Sequence, residues 1–326
     1  MLTLNELTGK VALPSEIDHA LKMGFDLAIS ISGGKDSDAM ARLLHHMRFH
    51  QARGWNGRII LMHAHLGRAE HQITLQYIAR FANQLGLPLH VVDGGDLVDV
   101  MKARKLKLEA QGKHAPFWPS AQARYCTSTC KRDKLSAFLR HWSGKTGRVI
   151  CAIGLRAAES TTRAQKSIFQ PREGVNTLSR IAYDWLPVHH FTTEEIWNAL
   201  GYSLDQLQAL QAQFKGMAPH EVFRSSFKAH PAYGLGNTRL SCGLCIFGNL
   251  GNLHNGASQN PEVYREYVQL EIESGYAFQP QRWLGDVAPE LLTPEMQIAF
   301  QRAKAQPPKQ HSPQSPLSIP QQLPLF

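Results

Sequence analysis

Residues 28–40 read AISISGGKDSDAM. An apolar run stops at two glycines, and polar residues then open a helical pattern. A strand, a glycine turn and a helix start together make an anion site, because backbone N–H groups at the turn and the helix N-terminus point at the ligand. Gly33 and Gly34 let the backbone approach closely and take positive φ. Ser32 and Ser37 add hydroxyl donors, and Lys35 adds positive charge. The stretch is not a Walker A loop, which needs Gly, four residues, then Gly-Lys-Ser/Thr. The other glycine–lysine stretch, Ser143–Gly147, has Leu139 where that first glycine would fall. It also precedes a strand instead of following one, so it reads as a turn.

Sulfur chemistry is the second possibility. Cys242 and Cys245 form CGLC, and Cys126 and Cys130 lie four apart in CTSTC. If the second pair is helical, its sulfurs share one face. Four thiolates in two close pairs can hold an Fe–S cluster or a Zn²⁺ ion. A redox CxxC and unrelated buried thiols are the other readings. Five cysteines are too few and too unevenly spaced for a secreted disulfide scaffold. Cys151 sits inside a strand pattern and reads as core. Of the histidines, His45, His46 and His50 ride an amphipathic helix and read as surface. His65 follows His63 where a strand meets its loop, a usual ligand edge in open α/β sheets, so it is a candidate nucleotide contact. Phe117 and Trp118 could stack on a base or simply pack.

These residues must be positioned by a scaffold, and the pattern of apolar runs predicts which one. Strands are expected over 25–31, 58–64, 87–92 and 148–153. Helical spacing joins them: Met40, Leu43, Leu44 and Met47 after the glycines, then Ile73, Tyr77, Ile78, Phe81 and Leu85 before the third strand. Alternation of this kind predicts an α/β fold with a parallel sheet covered by helices on both faces. The pattern changes near residue 190, where Thr192 and Glu195 form a capping box. A smaller, mostly helical part is expected after it. The expected organisation is a nucleotide-binding domain over 1–190, a helical and loop segment carrying CxxC over 191–303, and a tail over 304–326. The tail is rich in Pro, Gln and Ser and is expected to be disordered. With 43% hydrophobic residues the 326-residue chain can build a real core. No apolar run approaches the ~18 residues that span a bilayer, and the start lacks a secretory pattern. A cytoplasmic protein with no membrane partner is expected. The formal charge of +9 favours anionic partners.

SGGKDS, residues 32–37, resembles the PP-loop of ATP pyrophosphatases, which cradle the β,γ-pyrophosphate and cleave ATP between the α and β phosphates. GLRAAESTTRA (154–164), DWLPVHHFTTEEIW (184–197) and PSAQARYCTSTCKRDKL (119–135) together look like the phosphoadenylylsulfate (PAPS) reductase-like branch, from about residue 22 to 250. The resemblance implies an adenine-nucleotide α-hydrolase-like fold. It implies that Ser32, Gly33, Gly34, Asp36 and Ser37 line the pyrophosphate site, that Asp36 helps place Mg²⁺, and that Gly154, Arg156, Glu159 and Arg163 close over the nucleotide. Lys35, Asp36, Arg156 and Arg163 are then the catalytic candidates. A sulfonucleotide reductase should carry a cysteine near its C-terminus, and this chain has none after Cys245. A tRNA-thiolating enzyme would differ in its cysteine signature and after the fourth strand. The DNA-phosphorothioation proteins of DndC type have similar pairs and no reductase cysteine, and this likeness implies a [4Fe-4S] cluster on Cys126, Cys130, Cys242 and Cys245. QLPLF, residues 322–326, resembles the peptide by which bacterial proteins dock on the polymerase sliding clamp. The expected activity is adenylation of an acceptor by ATP for sulfur incorporation, with DNA the first candidate and a cysteine desulfurase or a persulfide as donor. PAPS or adenylylsulfate reduction, tRNA thiolation and a non-enzymatic nucleotide-sensing regulator on DNA are the alternatives.

Overall fold

The computed structural model describes residues 1–144 and 147–306. Lys304 and Ala305, expected to open the disordered tail, instead end the helix Pro294–Ala305; the tail from residue 307 on, with its clamp-like peptide Gln322–Phe326, and Lys145 and Thr146 of the glycine–lysine turn lie outside the described residues. A six-stranded sheet forms the centre: β1 (Asp26–Ser30), β2 (Ile59–His65), β3 (Leu89–Asp93), β4 (Arg148–Ile153), β5 (Phe169–Pro171) and β6 (Ile181–Trp185). Its order is β3-β2-β1-β4-β6-β5. All pairings are parallel except β5 with β6. The first four strands fall where hydrophobic runs predict them. β5 and β6 were not expected. β5 is three residues long and carries Pro171, which an edge strand tolerates because one side of it needs no ladder N–H. β6 mixes apolar and charged residues, and its pairing with β4, not its own sequence, makes it a strand.

The alternation of side chains along the strands divides the core by face. Leu27 and Ile29 of β1 pack with Met40, Leu43, Leu44 and Met47 of α1 (Lys35–Phe49) and with Tyr77, Ile78 and Phe81 of α2 (Thr74–Leu85). Ala28 between them, with Ile60, Met62 and Val149, faces Leu135 and Leu139 of α4 (Lys134–Trp142). Both faces of the sheet are therefore covered, as a parallel sheet requires. A third cluster joins Leu97, Val98 and Met101 of α3 (Leu97–Ala110) to Leu253 and Ala257 of α6 (Leu250–Gln259) and to Tyr264 and Tyr267 of α7 (Pro261–Ser274). The change of neighbourhood comes later than residue 190. α5 (Thr193–Leu200), capped by the Thr192–Glu195 box, and residues through Tyr233 pack into the same core as α1. No described helix is long and apolar enough to cross a membrane.

The strand order fixes the place where chemistry can occur. β1 leads outward to β2 and β3, and the chain then returns to lay β4 on the other side of β1. Loops leaving β1 and β4 diverge here, which opens a crevice at the carboxyl edge. Gly154 follows β4 directly, and a Cβ there would lie 2.8 Å from both N and Cα of Ser37. Only a glycine allows this approach of the β4 loop to the first turn of α1. Gly154→Ala should force these two backbones apart and lower stability by about 1–3 kcal/mol, read as a lower urea midpoint with an unchanged m-value; an unchanged midpoint would show that the contact relaxes freely.

Candidate functional site

The loop between β1 and α1 is knitted by its own hydroxyls. Gly33 takes φ +74°. The Ser32 N–H donates to Ser37 Oγ at 3.1 Å, and Gly34 N–H donates to Ser32 Oγ at 3.3 Å. Ser37 Oγ lies 2.8 Å from the Gly34 carbonyl, to which it donates. Gly34 is the N-cap of α1 and offers no side chain, so the first-turn amides are left for other acceptors. One of them is already used: Lys35 N–H donates to the Tyr233 hydroxyl at 3.0 Å. The amides of Asp36 and Ser37 remain in the same turn, at the positive end of a helix of 15 residues.

The charges around this turn converge on Asp36. Lys35 Nζ lies 3.0 Å from Asp36 Oδ2, and Arg156 Nε lies 2.5 Å from Asp36 Oδ1. Arg156 is buried. Its Nη1 donates to the Phe191 carbonyl at 3.2 Å and reaches Thr193 Oγ1 at 3.4 Å, so one side chain joins the β4 loop, α1 and α5. The structure thus brings together Ser32, Gly33, Gly34, Lys35, Asp36, Ser37, Gly154 and Arg156. Glu159 accepts from the Arg156 N–H at 3.3 Å and pairs with half-buried Arg163. Among the described contacts, Arg163 does not reach the loop.

Asp38, on the buried side of the same helix turn, was not singled out by the sequence pattern. Its Oδ2 accepts from the Tyr77 hydroxyl at 2.7 Å, and its Oδ1 lies 3.1 Å from Ser37 Oγ. Burial raises its pKa to about 7 against the pull of those two hydroxyls. Tyr77 and Tyr233 are likewise invisible to motif reading, because they come from 39 and 198 residues away from their partners in the loop.

The two cysteine pairs meet beside this loop. A cavity of about 180 Å³ is lined by Cys126, Cys242 and Cys245 together with Ser32, Glu70, Arg124, Lys131 and Arg239. Cys130 lies behind it in the same apolar cluster. The segment from Cys126 to Cys130 runs through a π-helical turn, Ser128–Asp133, a rare element that widens the helix. Close backbone contacts hold both pairs. Gly243, inside CGLC, donates to the Ala69 carbonyl at 2.8 Å. A Cβ on Gly256 of α6 would meet the Gly243 carbonyl at 1.9 Å, and one on Gly94 would meet the Cys130 carbonyl at 2.5 Å. Burial pushes the Cys242 and Cys130 thiols up, with nearby cysteines adding to the effect and Lys131 opposing it. Such thiols stay neutral until a metal claims them. His65 stands at the end of β2 with Nδ1 3.1 Å from Glu70 Oε2. Phe117 and Trp118 pack in the third cluster, with ring centroids 4.2 Å apart.

The Asp38 carboxyl makes stability depend on pH. Unfolded, it loses its proton near 3.8; folded, it keeps the proton to about 7. Its contribution is complete below the first value and is lost as pH rises through the second, with a limiting slope of about 1.4 kcal/mol per pH unit. Asp38→Asn mimics the protonated form, so urea denaturation of that variant between pH 5 and 8 should show a flatter profile than the parent chain. An identical slope would place the titration elsewhere.

The sequence matches the phosphoadenosine phosphosulfate reductase domain over residues 26–213, more than half of the chain. No curated protein matches it. Among solved structures it is similar to Candida glabrata FMN adenylyltransferase in complex with FAD and inorganic pyrophosphate, at 13% identity and a TM-score of 0.39, covering 61% of this chain and 56% of that one. The chain thus spans little more than half the length of that enzyme. It is also similar to NAD+ synthetase from Burkholderia pseudomallei, at 14% identity and a TM-score of 0.38, covering 94% and 92%. With the glycine loop, the β4 segment and the sheet between them inside the matched residues, the chain belongs to the phosphoadenosine phosphosulfate reductase domain family.

Proposed function

We propose that this protein is an ATP pyrophosphatase of DndC type, which adenylates an oxygen of the DNA backbone so that sulfur can replace it. One observation carries the reading: Ser32 of the anion loop and Cys126, Cys242 and Cys245 line one cavity. Phosphate activation and sulfur chemistry then share a space. The same wall carries Arg124, Lys131 and Arg239, which suit an anionic acceptor such as a phosphodiester. Ser32, Gly33, Gly34 and Ser37 would hold the β,γ-phosphates, with the Asp36 and Ser37 amides pointing at them. Asp36 would hold Mg²⁺ beside the phosphates, where the ion offsets their charge. Lys35 and Arg156 supply the fixed positive charges nearest the loop.

The reaction proceeds in two displacements. The acceptor oxygen attacks the α-phosphorus, the bond between that phosphorus and the bridging oxygen breaks, and pyrophosphate leaves while the loop holds it. The terminal sulfur of a persulfide, formed by a cysteine desulfurase, then attacks the acceptor phosphorus and displaces AMP, which carries the acceptor oxygen away; a second thiol cleaves the S–S bond, leaving sulfur on phosphorus and a disulfide on the donor. An iron–sulfur cluster would suit the four cysteines: Cys126, Cys242 and Cys245 line one cavity with Leu66, Leu97, Met101 and Phe278, Cys130 packs in the adjoining apolar cluster, and burial pushes the Cys130 and Cys242 thiols up. When bound, such a cluster supplies electron storage and a soft site for sulfur. The peptide 322–326 would tether the enzyme to a sliding clamp on DNA.

Two measurements check this. Full-length protein with Mg²⁺, ATP, duplex DNA and a persulfide donor should release pyrophosphate and AMP, and Ser37→Ala should lower that rate at least ~10²-fold; formation of ADP and phosphate, or ATP binding with no turnover in that mixture, refutes the reading. Protein purified without oxygen should be brown, and Cys242→Ser should bleach it. A colourless chain holding zinc on these sulfurs would overturn the cluster assignment.

A further inference from the structure

We infer that His63, His65 and Glu70 form a binding site for a divalent transition-metal ion, separate from the four cysteines. The inference stands whether or not the chain is an ATP pyrophosphatase. His63 and His65 are two apart on β2 and so share a face of the sheet at its carboxyl end. The short turn Gly67–Ala69 brings Glu70 back against them. One ligand atom from each residue lies within 4.8 Å of the other two. His63 Nε2 and His65 Nδ1 are each 3.1 Å from Glu70 Oε2.

The hydrogen bonding of His63 suits a metal ligand. Its Nδ1 lies 3.1 Å from the Ile31 carbonyl, which can only accept, so Nδ1 carries the hydrogen. Nε2 is left facing the Glu70 carboxylate, where a proton or a metal ion can join the two, and a backbone carbonyl on the far ring nitrogen is how metal-binding histidines are usually held. Two imidazoles and one carboxylate are the donor set of zinc and iron sites that keep positions open for water or substrate oxygen. His63 and Glu70 are 2% and 7% exposed, whereas the His65 side chain is 30% exposed and leaves a path for the ion. The place is consequential. Ile31 precedes Ser32 of the loop, and Glu70 also lines the cavity that holds the thiols.

Zinc alone is the probe. The full-length chain, with its cysteine site as isolated, is titrated with Zn²⁺ by calorimetry, and the zinc X-ray absorption spectrum is recorded. One Zn²⁺ per chain is expected, surrounded by N/O scatterers near 2.0–2.1 Å with no sulfur shell near 2.3 Å. His65→Gln and Glu70→Gln should each weaken binding at least ~10-fold. A zinc shell of sulfur alone, no zinc uptake, or unchanged affinity in His65→Gln overturns the assignment. His65 is partly exposed, so its variant is the milder one, and the same melting temperature without zinc as the parent shows that it folds. Should Glu70→Gln fail to fold, the scattering shell of the parent chain still decides.

Discussion

The site depends on one buried hydroxyl. Tyr233 accepts the Lys35 N–H at 3.0 Å and the Leu240 N–H at 3.1 Å. The first donor belongs to the opening turn of α1, and the second lies two residues before Cys242. A single oxygen therefore ties the anion loop to the cysteine loop across nearly 200 residues of chain. The Lys35 N–H is buried, and leaving it unpaired would cost about 1–3 kcal/mol. The ring is fixed in turn by the edge of Trp197, 5.2 Å away at 88°, and lies under Lys35 Nζ at 5.9 Å. Nothing about Tyr233 is free to drift, so neither loop can move far without the other.

The rest of the architecture serves the same convergence. Parallel strands all end at one edge, and four loops leave from that edge: 31–34 after β1, 66–73 after β2, 94–96 after β3 and 154–168 after β4. Glycine allows these loops to touch backbone to backbone. Gly154 against Ser37, Gly94 against Cys130 and Gly256 against Gly243 are three approaches that a side chain would block. The cysteines, remote in sequence, meet because α3, α6 and α7 bury a common apolar face with Leu66 and Ala69, just past β2, and so bring residues 126–130 and 242–245 to the same wall. Packing positions the sulfurs, and hydrogen bonds set their register.

Features written in local sequence were legible, and those made by distant neighbours were not. The glycine loop, four strands, the helical stripes of α1 and α2 and the Thr192–Glu195 box each rest on residues within a turn or two of one another. They could be read because hydrophobic period and capping chemistry act at that range. Gly154 and Arg156 were legible through resemblance, and the structure supplies a reason for each: close approach for one, the Asp36 pair for the other. β5 and β6 were missed because their pairing supplies what their short, mixed sequences lack. The core running on to Tyr233 past the change of composition was missed for a related reason. α5 is amphipathic whichever body it joins, and only its contact with α1 shows which. Glu70 was missed because a glutamate five residues past His65 has no meaning until the turn folds back. The π turn within 125–133 is also invisible in sequence, since it arises where an extra residue must be fitted between Cys126 and the start of α4.

The ion pairs at the loop explain how such a concentration of charge is tolerated. Lys35 and Arg156 are nearly buried, and buried cations are costly unless paired. Asp36 pairs with both and offsets much of their charge. An arriving polyphosphate would compete with Asp36 for the same two cations, and exchange is cheap only where an anion replaces an anion. Asp36 would then be released at the moment a cation is wanted beside the phosphates. On the proposed reading, the exchange would confine the rearrangement to the Asp36 side chain and would keep the amides of α1 aimed throughout.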